Sequence, residues 1–203
     1  MLRVYRIPYS TNVERVALAL AHKGLQVEWI DVDPSDRGPV EEISGQRLVP
    51  VLVDGDRVVA DSTEIMRYLE KIHPPVPLWS AEPARRAELD VFLDWFNRVW
   101  KRPPNEIDDE RRKAEPSGAR VDELGAELTG SLDVFERLLD GRDYLFGEFS
   151  AADCAAYPFL KYAVDSNEDD DEPFHQILRD YLVLDGAYPG VEAWIALMDE
   201  RPR

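Results

Sequence analysis

Residues 73–77 read His73-Pro74-Pro75-Val76-Pro77. Proline lacks an amide hydrogen and its ring clashes with the preceding turn, so such a cluster fits neither a helix interior nor a central strand. A stiff, extended connector is what remains. The cluster therefore divides the 203 residues into a segment 1–76, a linker over 77–84 and a segment 85–203. That length suits one large domain or two small ones, and the break favours two.

Ahead of the break the chain alternates between two periodicities. Residues 2–7 are short, β-prone and followed by Pro8, which predicts a strand. Over residues 12–23, Val13, Val16, Ala17, Leu20 and Ala21 fall at helical spacing, and Gly24 follows as the expected C-terminal cap. Residues 26–32 predict a second strand, which must pair in parallel through a right-handed crossover. A short helix around 40–43 comes next. Residues 48–53 and 57–60 flank Asp54-Gly55-Asp56, a hairpin signal. Residues 62–72 place Ile65, Met66, Leu69 and Ile72 on one helical face. This order predicts a mixed four-stranded sheet with helices packed on it. Beyond the break every segment reads as helical: 83–101, stopped by Pro103-Pro104, then 121–139, 151–164, 174–184 and 191–198. The expected fold class is an α/β domain followed by an all-α helical bundle.

Composition narrows the function. There are 41 acidic and 24 basic side chains, for a net charge of −17. That charge argues against nucleic acid and anionic membrane surfaces as partners. With 44% hydrophobic residues a packed core is expected. Cys154 is the single cysteine, which excludes an intrachain disulfide, a Cys-x-x-Cys redox pair and a multi-cysteine zinc site. His22, His73 and His175 show no ligand spacing, so no metal is expected. The start, MLRVYRIPYS, meets a proline too early for a secretion signal, and no apolar run approaches the ~20 residues of a membrane helix. A cytoplasmic location is the expectation. Residues 165–172 carry six acids and no base, which reads as a solvated loop.

Three short motifs could carry chemistry. Val49-Pro50 sits inside an apolar run that reads as a strand, so Pro50 marks an edge or a strand start and is a candidate cis proline. A cis peptide there leaves the Val49 backbone free to pair with an extended peptide ligand; the plainer reading is an ordinary edge proline. Asp61-Ser62 opens the helix after the hairpin. Its N–H groups suit a carboxylate and Asp61 suits an ammonium, although either residue also makes an ordinary N-cap. Tyr9-Ser10-Thr11-Asn12-Val13-Glu14-Arg15 opens the first helix. A hydroxyl there could hydrogen-bond a thiolate whose pKa the helix dipole lowers. Thr11-x-x-Glu14 is also a capping box, and the sequence leaves open whether Ser10 or Thr11 is the cap.

In order and spacing these motifs resemble the cytosolic glutathione transferases over essentially the whole chain. The resemblance is carried by STNVERVALAL (10–20), LVPVL (48–52), VADSTEIMRYL (59–69), GEFSAAD (147–153) and YPGVEAWIALMDERP (188–202). It implies a thioredoxin-like α/β domain followed by the helical bundle. Within GEFSAAD, Ser150-x-x-Asp153 reads as a capping box, with Phe149 and Cys154 as its hydrophobic staple, so Cys154 is expected to be buried and inert.

By this resemblance the protein activates the thiol of glutathione, a co-substrate and not a resident cofactor, for attack on a small hydrophobic electrophile. Ser10 stands where the family keeps its catalytic serine or cysteine, and Thr11 where some classes place it. Val49 would pair with the cysteinyl backbone beside a cis Pro50, and Asp61 and Ser62 would hold the γ-glutamyl group. Asp61 is one methylene shorter than the family's usual glutamate. Arg37 and Arg47 are candidates for the glycine carboxylate. Tyr9, Trp95, Trp100 and Tyr157 are candidates for a second-substrate pocket between the domains, although Trp95 and Trp100 also belong to a core stripe. The resemblance further implies a homodimer and a role in detoxification. The rival reading is a non-catalytic member of the fold serving as a binding or regulatory module. Charge is compatible with an anionic ligand: residues 1–76 hold 9 basic and 12 acidic side chains, for −3, and residues 77–203 hold the remaining −14.

Overall fold

A computed structural model describes residues 1–165, 167 and 169–203, which form two compact units. The first comprises Met1–Arg86 with Arg201–Arg203, and the second Ala87–Glu200.

The first unit runs β1 (Arg3–Arg6), α1 (Thr11–Lys23), β2 (Glu28–Asp31), α2 (Gly38–Ser44), β3 (Val51–Asp54), β4 (Arg57–Ala60) and α3 (Ser62–Ile72). The sheet order is β2-β1-β3-β4, with β1 parallel to β2 and the remaining pairs antiparallel. Gly24 ends α1 at φ 65°, a left-handed turn that glycine adopts without steric cost. Val4, Leu52, Val16, Ile65, Met66 and Leu69 are fully buried. Pro50 directly precedes β3, an interior strand, so the strand-start reading holds and the edge reading does not.

The proline connector is anchored from inside. The Lys23 ammonium, at the end of α1, donates to Glu70 at 2.7 Å, to the His73 carbonyl at 2.9 Å and to the Val76 carbonyl at 2.6 Å. Glu70 in turn accepts from the Leu78 and Trp79 amides. A buried cation is tolerated when it is paired and its protons are all used, and three acceptors match the three protons of Lys23.

His22 beside it ties the C-terminal residues to α1. Its Nε2 faces the Pro77 carbonyl at 3.2 Å, and its Nδ1 faces the Arg201 guanidinium at 3.1 Å. Arginine only donates, so Nδ1 accepts and the ring is neutral. Burial is the main cause lowering the His22 pKa; the Pro77 bond and Glu70 raise it, while Arg201 and Lys23 lower it further. The unfolded chain therefore binds a proton that the folded chain refuses just below the ordinary value of 6.5, and stability falls as pH drops through that value. Replacing His22 with Gln is expected to flatten the melting temperature against pH below 6.5 relative to the parent; an unchanged slope would show that His22 does not contribute.

The second unit carries α4 (Pro83–Trp95), a π-turn at Phe96–Trp100, α5 (Arg102–Arg111), α6 (Gly118–Gly130), α7 (Leu132–Leu138), α8 (Ala151–Leu160), a 3-10 turn at Lys161–Ala163, α9 (Pro173–Tyr181) and α10 (Pro189–Asp199). The helical run from Pro83 ends at Trp100, just ahead of Pro103-Pro104 as expected, and the same prolines sit in the first turn of α5, because the first helical positions need no amide donor. The segment 121–139 is two helices parted at Ser131. The core of the second unit is aromatic: Phe96 stacks on Trp100 at 4.4 Å between centroids, Phe135 and Phe159 pack edge-on against both, and Phe92 packs edge-on against Phe135. Ser150 and Asp153 form the expected capping box on α8, with Cys154 fully buried behind it. Among the described residues no helix is long and apolar enough to cross a membrane.

The acid run is less solvated than expected. Burial works against the Asp170 carboxylate, but hydrogen bonds from His175 at 2.8 Å and Arg179 at 2.6 Å hold its pKa below the usual carboxylate value. Glu168 lies outside the described residues.

Candidate functional site

The sheet register brings three of the sequence motifs to one end of the first unit. Tyr5 near the end of β1 pairs with Val51 at the start of β3, and Val51 pairs with Ala60 at the end of β4. The segments beyond those pairs are Ser10 with α1, Val49-Pro50, and Asp61-Ser62 with α3. Helix starts offer unpaired amides and a partial positive charge, and two of them open on this end of the sheet.

At the first, Ser10 is the N-cap of α1 by backbone geometry, with φ −71° and ψ 121°. Its carbonyl accepts from the Val13 and Glu14 amides, while its side chain makes no capping bond. Thr11 lies inside the first turn and is only 6% exposed. Of the two hydroxyls Ser10 is the more open, and it makes no capping bond. Tyr9, beside it, is half exposed.

Facing these elements, the Val49–Pro50 peptide bond is cis. Val49 lies two residues outside the β3 ladder, whose register begins at Val51. Gln46 brackets the approach: its side-chain amide donates to the Leu48 carbonyl at 2.8 Å and its Oε1 accepts from the Leu48 amide. Nothing in the sequence reading picked out Gln46, since a glutamine in a polar loop gives no periodic signal.

Asp61 is the most constrained residue of the group. It is a non-glycine residue at φ 72° and ψ 131°, a conformation that costs about 1–3 kcal/mol and concentrates at functional sites. Its Oδ1 accepts from the Thr63 and Glu64 amides at 2.8 and 3.2 Å. Oδ2 takes neither bond, and the residue is exposed. Capping and ligand binding are therefore compatible in one carboxylate. Ser62 is 2% exposed, and its Oγ accepts from the buried Arg15 Nη1 at 3.3 Å, joining the two helix starts across 47 residues of sequence.

The remaining candidates separate into two groups. Arg37 and Arg47 lie together around α2, with the Arg37 guanidinium donating to the Arg47 carbonyl and Arg47 paired to Glu41 at 2.8 Å. Both members of that pair are half exposed, so it is weak and exchangeable. In the second unit, Trp95 lines an open apolar groove of about 770 Å³ with Val91, Phe92, Val134, Leu138 and Phe146. Trp100 and Tyr157 do not face a ligand space. Trp100 is 2% exposed and its indole N–H donates to Ser131 Oγ at 2.8 Å; Tyr157 is fully buried with its hydroxyl donating to Asp199. For these two the core has first claim: Trp100 stacks on Phe96, and Tyr157, on the wholly buried α8, packs edge-on against Trp194.

Comparison with known proteins agrees over both units. The family model described as glutathione S-transferase, N-terminal domain, matches residues 4–77, and the one described as glutathione S-transferase, C-terminal domain, matches residues 118–197. Glutathione S-transferase F10 of Arabidopsis thaliana is 31% identical over 176 residues, covering 81% of this chain and 81% of that protein. The stringent starvation protein A homolog of Haemophilus influenzae is 30% identical over 155 residues, covering 72% of this chain and 67% of that protein. A glutathione S-transferase structure from Rhodospirillum rubrum superposes with a TM-score of 0.77 at 27% identity, covering 100% of this chain and 89% of that one.

Proposed function

The chain belongs to the glutathione S-transferase family, and from that premise we propose that it activates the thiol of glutathione for attack on a small hydrophobic electrophile. Glutathione binds as an extended peptide, its cysteinyl backbone pairing with Val49 beside Pro50. Its γ-glutamyl carboxylate meets Ser62 at the start of α3 and its ammonium meets Asp61. Its glycine carboxylate meets Arg37 or Arg47. The thiol then lies at the start of α1, where the Ser10 hydroxyl donates to the sulfur and the helix dipole favours the thiolate. The thiol proton leaves to solvent, and the thiolate forms a carbon–sulfur bond with the electrophile as the leaving group departs with the bonding pair. Tyr9, half exposed beside Ser10, is the aromatic proposed to contact the electrophile. The working form is proposed to be a cytoplasmic homodimer.

The observation that supports this most is the convergence of Ser10, Val49-Pro50 and Asp61-Ser62 through the paired registers Tyr5–Val51 and Val51–Ala60. The strained backbone of Asp61 adds to it. Aspartate in place of the family's usual glutamate also acquires a reason, since the shorter side chain reaches back to cap α3. Calorimetry with glutathione is expected to show binding at millimolar concentration or tighter, and a panel of electrophiles to show conjugate formation. No binding at millimolar glutathione would overturn the reading.

A second reading rests on one relative whose name, stringent starvation protein A homolog, states no transferase activity. In that reading the chain is a non-catalytic binding or regulatory module. Glutathione binding without any conjugate across the panel would favour it.

A further inference from the structure

Arg15 has no part in the scheme above, yet it is a guanidinium only 1% exposed, directly behind Ser62. Its Nη1 is 3.3 Å from Ser62 Oγ. Arginine has donors and no acceptor, so in this contact the serine oxygen must accept. A hydroxyl carries one proton and two lone pairs. With a lone pair occupied from behind, the Ser62 proton is directed away from Arg15. Ser62 is also the first residue of α3, so its amide hydrogen has no intrahelical acceptor. Two donors therefore emerge from one residue, backed by a buried positive charge that solvent barely screens. Asp61 beside them contributes acceptors and negative charge. Such a pair would sort a zwitterionic head group by sign, anion onto Ser62 and cation onto Asp61.

We propose that Arg15 is a positioning residue that fixes the Ser62 hydroxyl as a donor and thereby makes the site select a carboxylate over its neutral amide. This rests on the glutathione reading and deepens it. It does not follow from that reading, because a serine at a helix start can by itself accept or donate. The amide NH2 of a carboxamide ligand would meet two donors, whereas a carboxylate can accept from both. Hydrogen bonds to a charged group contribute about 1.5–3 kcal/mol, which is ~10-fold or more in affinity.

The test compares dissociation constants for glutathione and for glutathione carrying a carboxamide in place of the γ-glutamyl α-carboxylate. The chains are the parent, Ser62→Ala, Arg15→Met and Arg15→Gln, each checked for fold by circular dichroism. The parent is expected to prefer the acid by ~10-fold or more. Ser62→Ala and Arg15→Met should bring the ratio close to one. Arg15→Gln, whose amide accepts as readily as it donates, should lower the ratio several-fold; it decides the matter where Arg15→Met does not fold. The ratio of two ligands on one folded chain is insensitive to a general loss of stability, which would weaken both. Either folded Arg15 variant retaining the parent ratio would overturn the proposal while leaving the glutathione reading intact. A parent that binds neither ligand overturns both.

Discussion

Replacing Asp153 with Ala should destabilise the protein by about 3–5 kcal/mol, measured as a fall in the urea midpoint at unchanged slope. Asp153 is completely buried. Its Oδ1 accepts from the Leu145 amide and the Trp194 indole N–H, both at 3.0 Å. Its Oδ2 accepts from the Ser150 amide and the Ser150 hydroxyl, both at 2.9 Å. Burial pushes the carboxyl pKa up, and these four donors pull against it. Alanine would strand three buried N–H groups on three separate segments, each costing about 1–3 kcal/mol. Ser150→Ala removes the cap and one of the four donors to Asp153 but strands no N–H of the other segments, and should cost about 1 kcal/mol. Equal effects from the two substitutions would show that the box matters as a helix cap alone. The larger effect for Asp153 would show that it ties α8 to α10 and to the preceding loop.

Ser10→Ala should lower kcat/KM for glutathione conjugation by ~10²-fold, the scale of losing one donor to a developing anion, with little loss of stability. The two readouts separate because the Ser10 side chain makes no capping bond. Thr11→Ala should leave the rate near the parent's, since Thr11 is buried in the first turn of α1. Ultraviolet absorbance of bound thiolate, read beside the steady-state rates, distinguishes lost activation from lost binding. An unchanged rate in Ser10→Ala would remove it from the chemistry, and a large loss in Thr11→Ala would transfer the role.

Much of this was legible in the residues. The helix at Ser62–Ile72 and the strand at Arg57–Ala60 fall where periodicity and the Asp54-Gly55-Asp56 turn place them. The Ser150–Asp153 box and the burial of Cys154 follow from spacing alone. The misreadings have specific causes. Pro103-Pro104 both ends one run and begins another, because a missing donor is harmless in a first turn. The π-turn at Phe96–Trp100, where the Lys101 amide bonds back to the Phe96 carbonyl, left no mark on the apolar stripe. Trp100 and Tyr157 lie on faces that pattern alone cannot assign to core or to ligand. Asp170 sits in a run of like charge, and only the fold brings His175 and Arg179 to it.

The sequence by itself determined the two-part organisation, the order of strands and helices, and the short segments able to carry chemistry. Those depend on local physics: proline geometry, apolar spacing and helix capping act within a few residues. Tertiary structure alone decided that Ser10, Val49 and Asp61 share one end of the sheet, because strand register links residues about 50 positions apart. It also decided that Arg15 lies behind Ser62 and that Lys23 holds the proline connector. A buried charge shows its partner only after the chain has closed around it, when the low dielectric makes that partner necessary.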